Sequence, residues 1–563
     1  MPRLAIPAYQ PDLSDLDQGF TASLANVLPR GDGWGPVPAP EMLFQALPAA
    51  CRGIFYARRT NGAVAVFAGT ETKLYLLDNT TFAWDDVSQG GGTYAAVAAD
   101  AQWQFAQFGN FVIAVHGNED PQVYDLSSSS AFADLGGTPP NAGGVAVVGR
   151  FLVLYDLTDN PYRVQWSGLN DVTNWTSGTG LSDYQDFPDG GPVRRVVGGE
   201  FGFVLHDLAI RRMVWVPGAE VVFEFSRISE DRGILANYSA VTASDRTFFL
   251  SSQGFVELGA DGSLRPIGKE RVDRTLLAEI DDAALHLVLA AADPDSSRVY
   301  WSYRTEATTT GNFDHLIAYD YVLDRWSPPI EITGEYLTSL AQPGLTLEAL
   351  DLIAPGYTEV SNAANNGSGL IRLTVGSTSG FTTGDYKTIA SVGGTTEANG
   401  TWAITVINGT TLDLQGSTYA NAYTSGGYVA GEIDDLEISL DDLSLATLPA
   451  ISITNTDHET GFLTGAALEA TMTTAEQSMD GWRMQINGFT PITDAETVYG
   501  SVEKRDRLYG AATAGAESTM NDDGFVPLLD EARYARAKVR IPAGTTWTFC
   551  RGVEPAAARG SRY

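Results

Sequence analysis

Short apolar strands that recur at a near-constant step constrain this chain more than any single residue does. One recurring strand reads basic, any two, aromatic: Arg163–Trp166 (RVQW), Arg212–Trp215 (RMVW), Arg246–Phe249 (RTFF) and Arg298–Trp301 (RVYW). The steps between them are 49, 34 and 52 residues, a mean of 45. That is the length of one four-stranded β-propeller blade, whereas a sandwich repeats its turn signals every ~10 residues. A second element ends a strand on Asp and places an aromatic six or seven residues later: Asp78 with Trp84, Asp125 with Phe132, Asp320 with Trp326. This suits a hairpin in which the Asp accepts backbone N–H groups at the turn while the aromatic starts the returning strand and packs between adjacent sheets.

Between these lie apolar strands such as GAVAVFAG, NFVIAVHG and GVAVVGRFLVLYD. The predicted fold is therefore all-β: a β-propeller of six to seven blades, the count depending on how residues 336–352 and 433–455 pair. Helix-forming stretches are few, and 59 Gly among 563 residues fit many tight turns. With 44% hydrophobic and 18% charged residues the chain has ample material for a core.

The pattern changes at both ends and once inside. Residues 1–50 hold eight Pro, from Pro2 to Pro48, and read as an extended arm that can supply neither a long helix nor a central strand. The propeller is expected over 51–354 and 432–460. Residues 355–431 turn to Gly, Thr, Ser and Asn, with turns at Gly384-Asp385, Asn399-Gly400 and Asn408-Gly409, which predicts an inserted small β-barrel or sandwich. Residues 461–563 read as a C-terminal β-rich assembly domain.

Charge is large and uneven. Sixty-nine acids against 35 bases leave −34, which excludes wrapping of nucleic acid in a basic groove and fits either plain solubility or a surface from which DNA is repelled. Residues 533–563 reverse the trend, with seven bases and one acid. There, Arg536, Lys538 and Arg540 alternate with Ala537, Val539 and Ile541, so one strand face is cationic and the other apolar. With Arg533, these residues read either as a solvated face or as an assembly interface for an acidic neighbour, another copy of the chain included.

Chemistry-bearing constellations are sparse. Cys51 and Cys550 give no disulfide framework or metal-ligand spacing, and read as reduced, buried thiols made in a cytosol. The five histidines, His116, His206, His286, His315 and His458, form no HExxH or HxH, no GxSxG surrounds a Ser, and no phosphate or dinucleotide loop is present, so no catalytic residue, metal or cofactor is expected. The carboxylates of DYQDFPDGG (Asp183, Asp186, Asp189) and WDDVS (Asp85, Asp86) are the candidates for a propeller glycosidase. The run Asp434, Asp435, Glu437, Asp441, Asp442 lacks the central Gly and the spacing of an EF-hand calcium loop. The N-terminus carries no signal-peptide apolar region, and no apolar run is long enough to span a membrane.

RVQWSGLNDVTNWT (Arg163–Thr176) concentrates polar and aromatic residues, but its spacing departs from the sialidase Asp-box, and it reads as a blade-edge turn capped by Asn170 and Asp171. Together with NVLPRGDGWGPVPAP (Asn26–Pro40), FAGTETKLYLLDNTTFAWDDVS (Phe67–Ser88), QFGNFVIAVHGNEDPQVYDL (Gln107–Leu126), LEATMTTAEQ (Leu468–Gln477) and LLDEARYARAKVRIPAGTTWTFCRGVEP (Leu528–Pro555), this stretch resembles the tail nozzle proteins, also called tail tubular protein B, and the related tail hub or DNA-stabilisation proteins of short-tailed bacteriophages. The insertion similarly looks like a β-module of phage structural proteins. The resemblance implies a non-enzymatic virion subunit made in the host cytoplasm, a ring of six copies around an axial channel, an adaptor or portal-side ring as neighbour, tail fibres or spikes on the outside, and transient passage of genomic DNA. Nozzles of this kind are often longer, so one of their domains is expected to be missing. The alternative reading is a propeller glycosidase or carbohydrate-binding tail protein.

Overall fold

Alternating apolar residues joined by Gly- and Asp-containing turns fold locally into antiparallel hairpins, and four such strands make each blade. The computed structural model describes residues 3–13, 20–21, 23–219, 221–343, 356–431, 449–479, 482–508 and 510–562. Seven four-stranded antiparallel sheets follow one another. Their innermost strands are Ile54–Arg58, Gln104–Phe108, Ala142–Val148, Val193–Val197, Val241–Ala243, Ala290–Asp293 and Tyr336–Ala341, and they define blades 1 to 7 in that order. Blade 7 adjoins blade 1 through Tyr336–Ala341 and Ile54–Arg58, so the ring closes.

The seventh blade is assembled from three parts of the chain. Tyr336–Ala341 pairs with Pro449–Thr454, which pairs with Thr460–Phe462, and Glu41–Phe44 from the Pro-rich arm adds the outermost strand. The arm thus contributes strands, against the expectation of an extended segment lying on a surface. Of its Pro-bearing strands, Val27–Arg30 is a sheet edge, where a missing N–H is tolerated, whereas Gly33–Pro36 lies between Val27–Arg30 and Cys550–Arg562, against the expectation that the arm supplies no central strand. The pairing of 336–341 with 449–454 gives seven blades among the described residues.

Outer-strand aromatics seal successive blades. Trp84 of blade 1 meets Phe44 of blade 7 edge to face at 6.0 Å, Phe132 of blade 2 meets Phe67 of blade 1 at 5.6 Å, and Trp326 of blade 6 lies 4.9 Å from Phe255 of blade 5. Trp166 of blade 3 meets Phe223 of blade 4 at 5.0 Å.

Both chain ends meet in a β-sandwich. One sheet runs Val526–Ala532, Trp482–Thr493, Cys550–Arg562, Gly33–Pro36, Val27–Arg30, with Leu4–Ala5 also on Cys550–Arg562. The other runs Leu24–Ala25, Ala470–Thr473, Tyr534–Ile541, Tyr499–Arg505, Thr513–Ala514. Phe489, Val498, Val526, Met472, Val539 and Ile541 are buried in the same apolar cluster as Phe255, Trp301 and Trp326 of blades 5 and 6, so the sandwich shares a core with the propeller. The arm fastens the two. Asn26 donates to the Glu469 carbonyl (3.0 Å) and accepts from the Glu331 amide (2.9 Å), Arg298 donates to the Pro29 carbonyl (2.9 Å), and Arg325 donates to the Arg30 carbonyl (2.6 Å) while lying on the Trp34 ring.

The insertion forms a separate compact unit: a closed six-stranded barrel of Thr358–Asn365, Ile371–Val375, Tyr386–Ala390, Gly400–Asn408, Thr411–Leu414 and Tyr428–Val429. Ile371, Leu373, Ile404, Leu412 and Leu414 fill its interior. Arg372 makes a two-pronged bond to Asp413 (2.6 and 2.8 Å) on the neighbouring strand.

Candidate functional site

The strand Tyr534–Ile541 carries the residues that the sequence singles out. Its alternation places Val539 and Ile541 in the sandwich core and aligns the bases along the opposite face. On that face Arg540 donates to Glu469 (2.9 Å) and in a fork to Glu517 (2.9 and 2.6 Å), with its guanidinium over the Tyr499 ring at 4.3 Å. The Arg540 hydrogen bonds hold Glu517 below the usual carboxylate range. Lys538 faces Glu503 of the paired strand at 4.0 Å, and Arg536 faces Glu476 at 4.0 Å. Glu476 is held in turn by a two-pronged bond from Arg505 (2.6 and 3.0 Å), and all three of these side chains are nearly buried. Arg533 lies over the neighbouring Tyr534 ring. A face read either as solvated or as an interface for an acidic neighbour thus finds several acid partners within its own sheets. Cross-strand charge pairs are invisible to a one-strand reading because they depend on register.

Four of the five carboxylates considered for glycoside chemistry are engaged likewise. Asp186 receives a fork from Arg163 (2.6 and 2.8 Å), which keeps its pKa low. Asp189 receives Arg211 (2.6 Å) and Arg227, Asp183 accepts from the Ser177 hydroxyl (2.6 Å), Asp86 pairs with Lys73, and Asp85 is exposed. Arg211 lies against Phe187 and is bound to the fully buried His206 at 2.8 Å. Because arginine only donates, His206 Nε2 accepts, and its Nδ1–H donates to the Gly191 carbonyl at 3.0 Å. Burial lowers the His206 pKa to about 4, so this imidazole is neutral and fixes the Asp-rich loop to blade 4.

The other histidines are dispersed. Burial lowers His116 to about 4 and also lowers His286, while His315 lies beside Asp314 at 3.1 Å. His458 marks the place where the ring closes. Its Nδ1 is 2.8 Å from Glu335, Glu335 accepts the Cys51 amide (2.8 Å), and the His458 carbonyl accepts the Leu47 amide (2.9 Å). This seam joins three distant parts of the chain, which no motif announces. Burial pushes both Cys51 and Cys550 thiols up to about 12, the state of inert core thiols.

In RVQWSGLNDVTNWT, Asp171 accepts the Thr173 amide (3.0 Å) and hydroxyl (2.7 Å), and Asn170 adopts φ 55° while its side chain accepts from Arg150. Trp175 is buried and donates to the Val172 carbonyl at 2.8 Å. The segment is a turn that seals blade 3. Among the described residues no group of three or more His, Cys, Asp or Glu is placed to hold a metal, and no helix is long and apolar enough to cross a membrane. The acidic run from Asp434 to Asp442 lies outside the described residues.

No protein-family model and no curated protein matches the chain. Among solved structures, the WD40 repeats of RRP9 align over 60% of this chain and 92% of that one, at 8% identity and a TM-score of 0.35.

Proposed function

We propose that this chain is a structural virion subunit, a tail nozzle or hub protein of a short-tailed bacteriophage, six copies of which form a ring around an axial channel that retains and then conducts the genome. One observation carries the reading. The two stretches with the resemblance that lie farthest apart, Asn26–Pro40 and Leu528–Pro555, meet in one sheet, where Trp34 pairs with Cys550 and Val27–Arg30 pairs with Gly33–Pro36. Segments that look like one family at opposite ends of a chain are thereby one module, fused to the propeller through a shared core.

The charge fits the role. At −34 per chain, a ring of six carries about −200, and acidic walls repel DNA within a Debye length of about 8 Å at physiological salt. In this reading the adaptor or portal-side ring and the fibres are the protein partners, and no catalytic residue or cofactor is needed.

Light scattering on the purified 60.2 kDa chain tests it: a ring of six gives about 360 kDa. A monomer or trimer that cleaves host polysaccharide overturns the proposal in favour of a glycosidase.

A further inference from the structure

The segment from Arg3 to Leu13 pairs at Leu4–Ala5 with the sandwich strand Cys550–Arg562, passes the outermost strand of blade 6, Arg325–Trp326, at Ala8–Tyr9, and ends on a short helix, Asp273–Glu279. The residue preceding that helix, Val272, supplies no side-chain cap. Asp12, distant in sequence and buried, fills the role. Its Oδ2 accepts the Arg274 amide (2.9 Å), its Oδ1 accepts the Thr275 amide and hydroxyl (both 2.8 Å), and its own amide donates to the Arg271 carbonyl (3.1 Å).

Beside it lies a second carboxyl, Asp273, only 7% exposed. Its Oδ1 accepts the Phe255 amide at 3.0 Å, and its Oδ2 has no hydrogen-bond partner. A Cβ at Gly254 or Gly268 would come within 2.0 or 1.9 Å of this carboxyl, so two glycines leave it room. A cavity of about 260 Å³ opens here between Asp12, Asp273 and the exposed Lys269, Glu270 and Arg274.

We propose that the N-terminal segment is an acid-tightened strap, held by Asp12 and loosened when the neighbouring Asp273 loses its proton. The other charged groups around the seat do not neutralise Asp273. Arg271 is bound to Asp324 (2.9 Å), Arg232 to Gln253 (2.9 Å), and Lys269 and Arg274 reach solvent. At the far end of the helix, Glu279 faces Tyr9 of the strap and Tyr303 and His315 of blade 6, and burial raises its pKa too.

Burial, reinforced by Asp12 and opposed by the Phe255 amide and Arg232, raises Asp273 to about 6. Asp12, which the strap brings to Asp273, is one cause of that rise, so release of the strap lowers the Asp273 pKa and the neutral form favours docking at low pH. That contribution is lost as pH rises from about 4 through 6.

The test is hydrogen exchange in the full chain at pH 5 and pH 8, corrected for the intrinsic rate, at the amides of Gln10 and Asp12, which donate to Thr21 and Arg271. Wild-type protection should fall from pH 5 to pH 8 by up to about tenfold, the limit reached if Asp273 returned to an exposed carboxyl on release. Asp273→Asn should keep the pH 5 level at both. Equal protection at both pH values in the wild type, or the wild-type fall persisting in Asp273→Asn, overturns the proposal. Should Asp273→Asn not fold, Asp12→Asn decides: its strap should be unprotected at both pH values, and a strap still protected at pH 5 and released at pH 8 overturns it.

Discussion

His116 is 1% exposed, sits edge-on against Trp103 at 4.2 Å, and neither of its ring nitrogens has a hydrogen-bond partner. With His206 it makes the protein acid-sensitive. Both folded-state pKa values lie near 4, below the ordinary 6.5, so their contribution to stability is complete above pH 6.5 and is lost as pH falls toward 4. Each is worth up to about 3 kcal/mol. Urea midpoints measured from pH 7 to pH 4 should drop, and His116→Phe should flatten part of that drop; an unchanged slope would contradict the assignment. Asp171→Ala removes two turn bonds and should cost about 1 kcal/mol in the same measurement with the oligomeric state intact. Turns of this kind were legible from sequence because donor and acceptor are two or three residues apart: Asp78, Asp125, Asp171 and Asp320 all accept from amides just downstream. Asp12 and Glu335 were not legible, since their partners lie hundreds of residues away.

Among elements, two apparent repeats behaved differently. The Asp-to-aromatic hairpin occupies the same place, between third and fourth strands, in blades 1, 2 and 6. The basic-x-x-aromatic strand does not: it is the third strand in blades 3 and 4 but the second in blades 5 and 6. Its short 34-residue step is the jump from one position to the other, and the mean of 45 matched a blade although the copies were not equivalent. Apolar packing selects aromatics at several depths of a blade, so a composition match need not mark one site. Trp326 shows how much such packing carries. It is 2% exposed, lies 4.8 to 5.7 Å from Tyr319, Phe255 and Trp301, and donates to the Ile267 carbonyl of the preceding blade at 2.9 Å. Trp326→Ala should destabilise by about 3–5 kcal/mol, read as a shift in the urea midpoint. Asn26→Ala should cost about 1–3 kcal/mol, because it leaves the Glu331 amide unpaired and puts Ala at φ 53°.

At the scale of the molecule, the Pro-rich arm supplies the outermost strand of blade 7, three strands of one sandwich sheet and one of the other. Local pattern could show that Val27–Pro36 was no helix; it could not show a partner at Cys550, which makes Gly33–Pro36 an interior strand against expectation, because long-range pairing leaves no local signature. The proposed role rests on this joined body serving as one rigid sector of a ring. The most direct test is to image isolated tails of the virion with this chain labelled. The expected result is the label in a sixfold ring on the tail axis, with the channel running through it. Label on the lateral fibres, or none in the tail, would contradict the account.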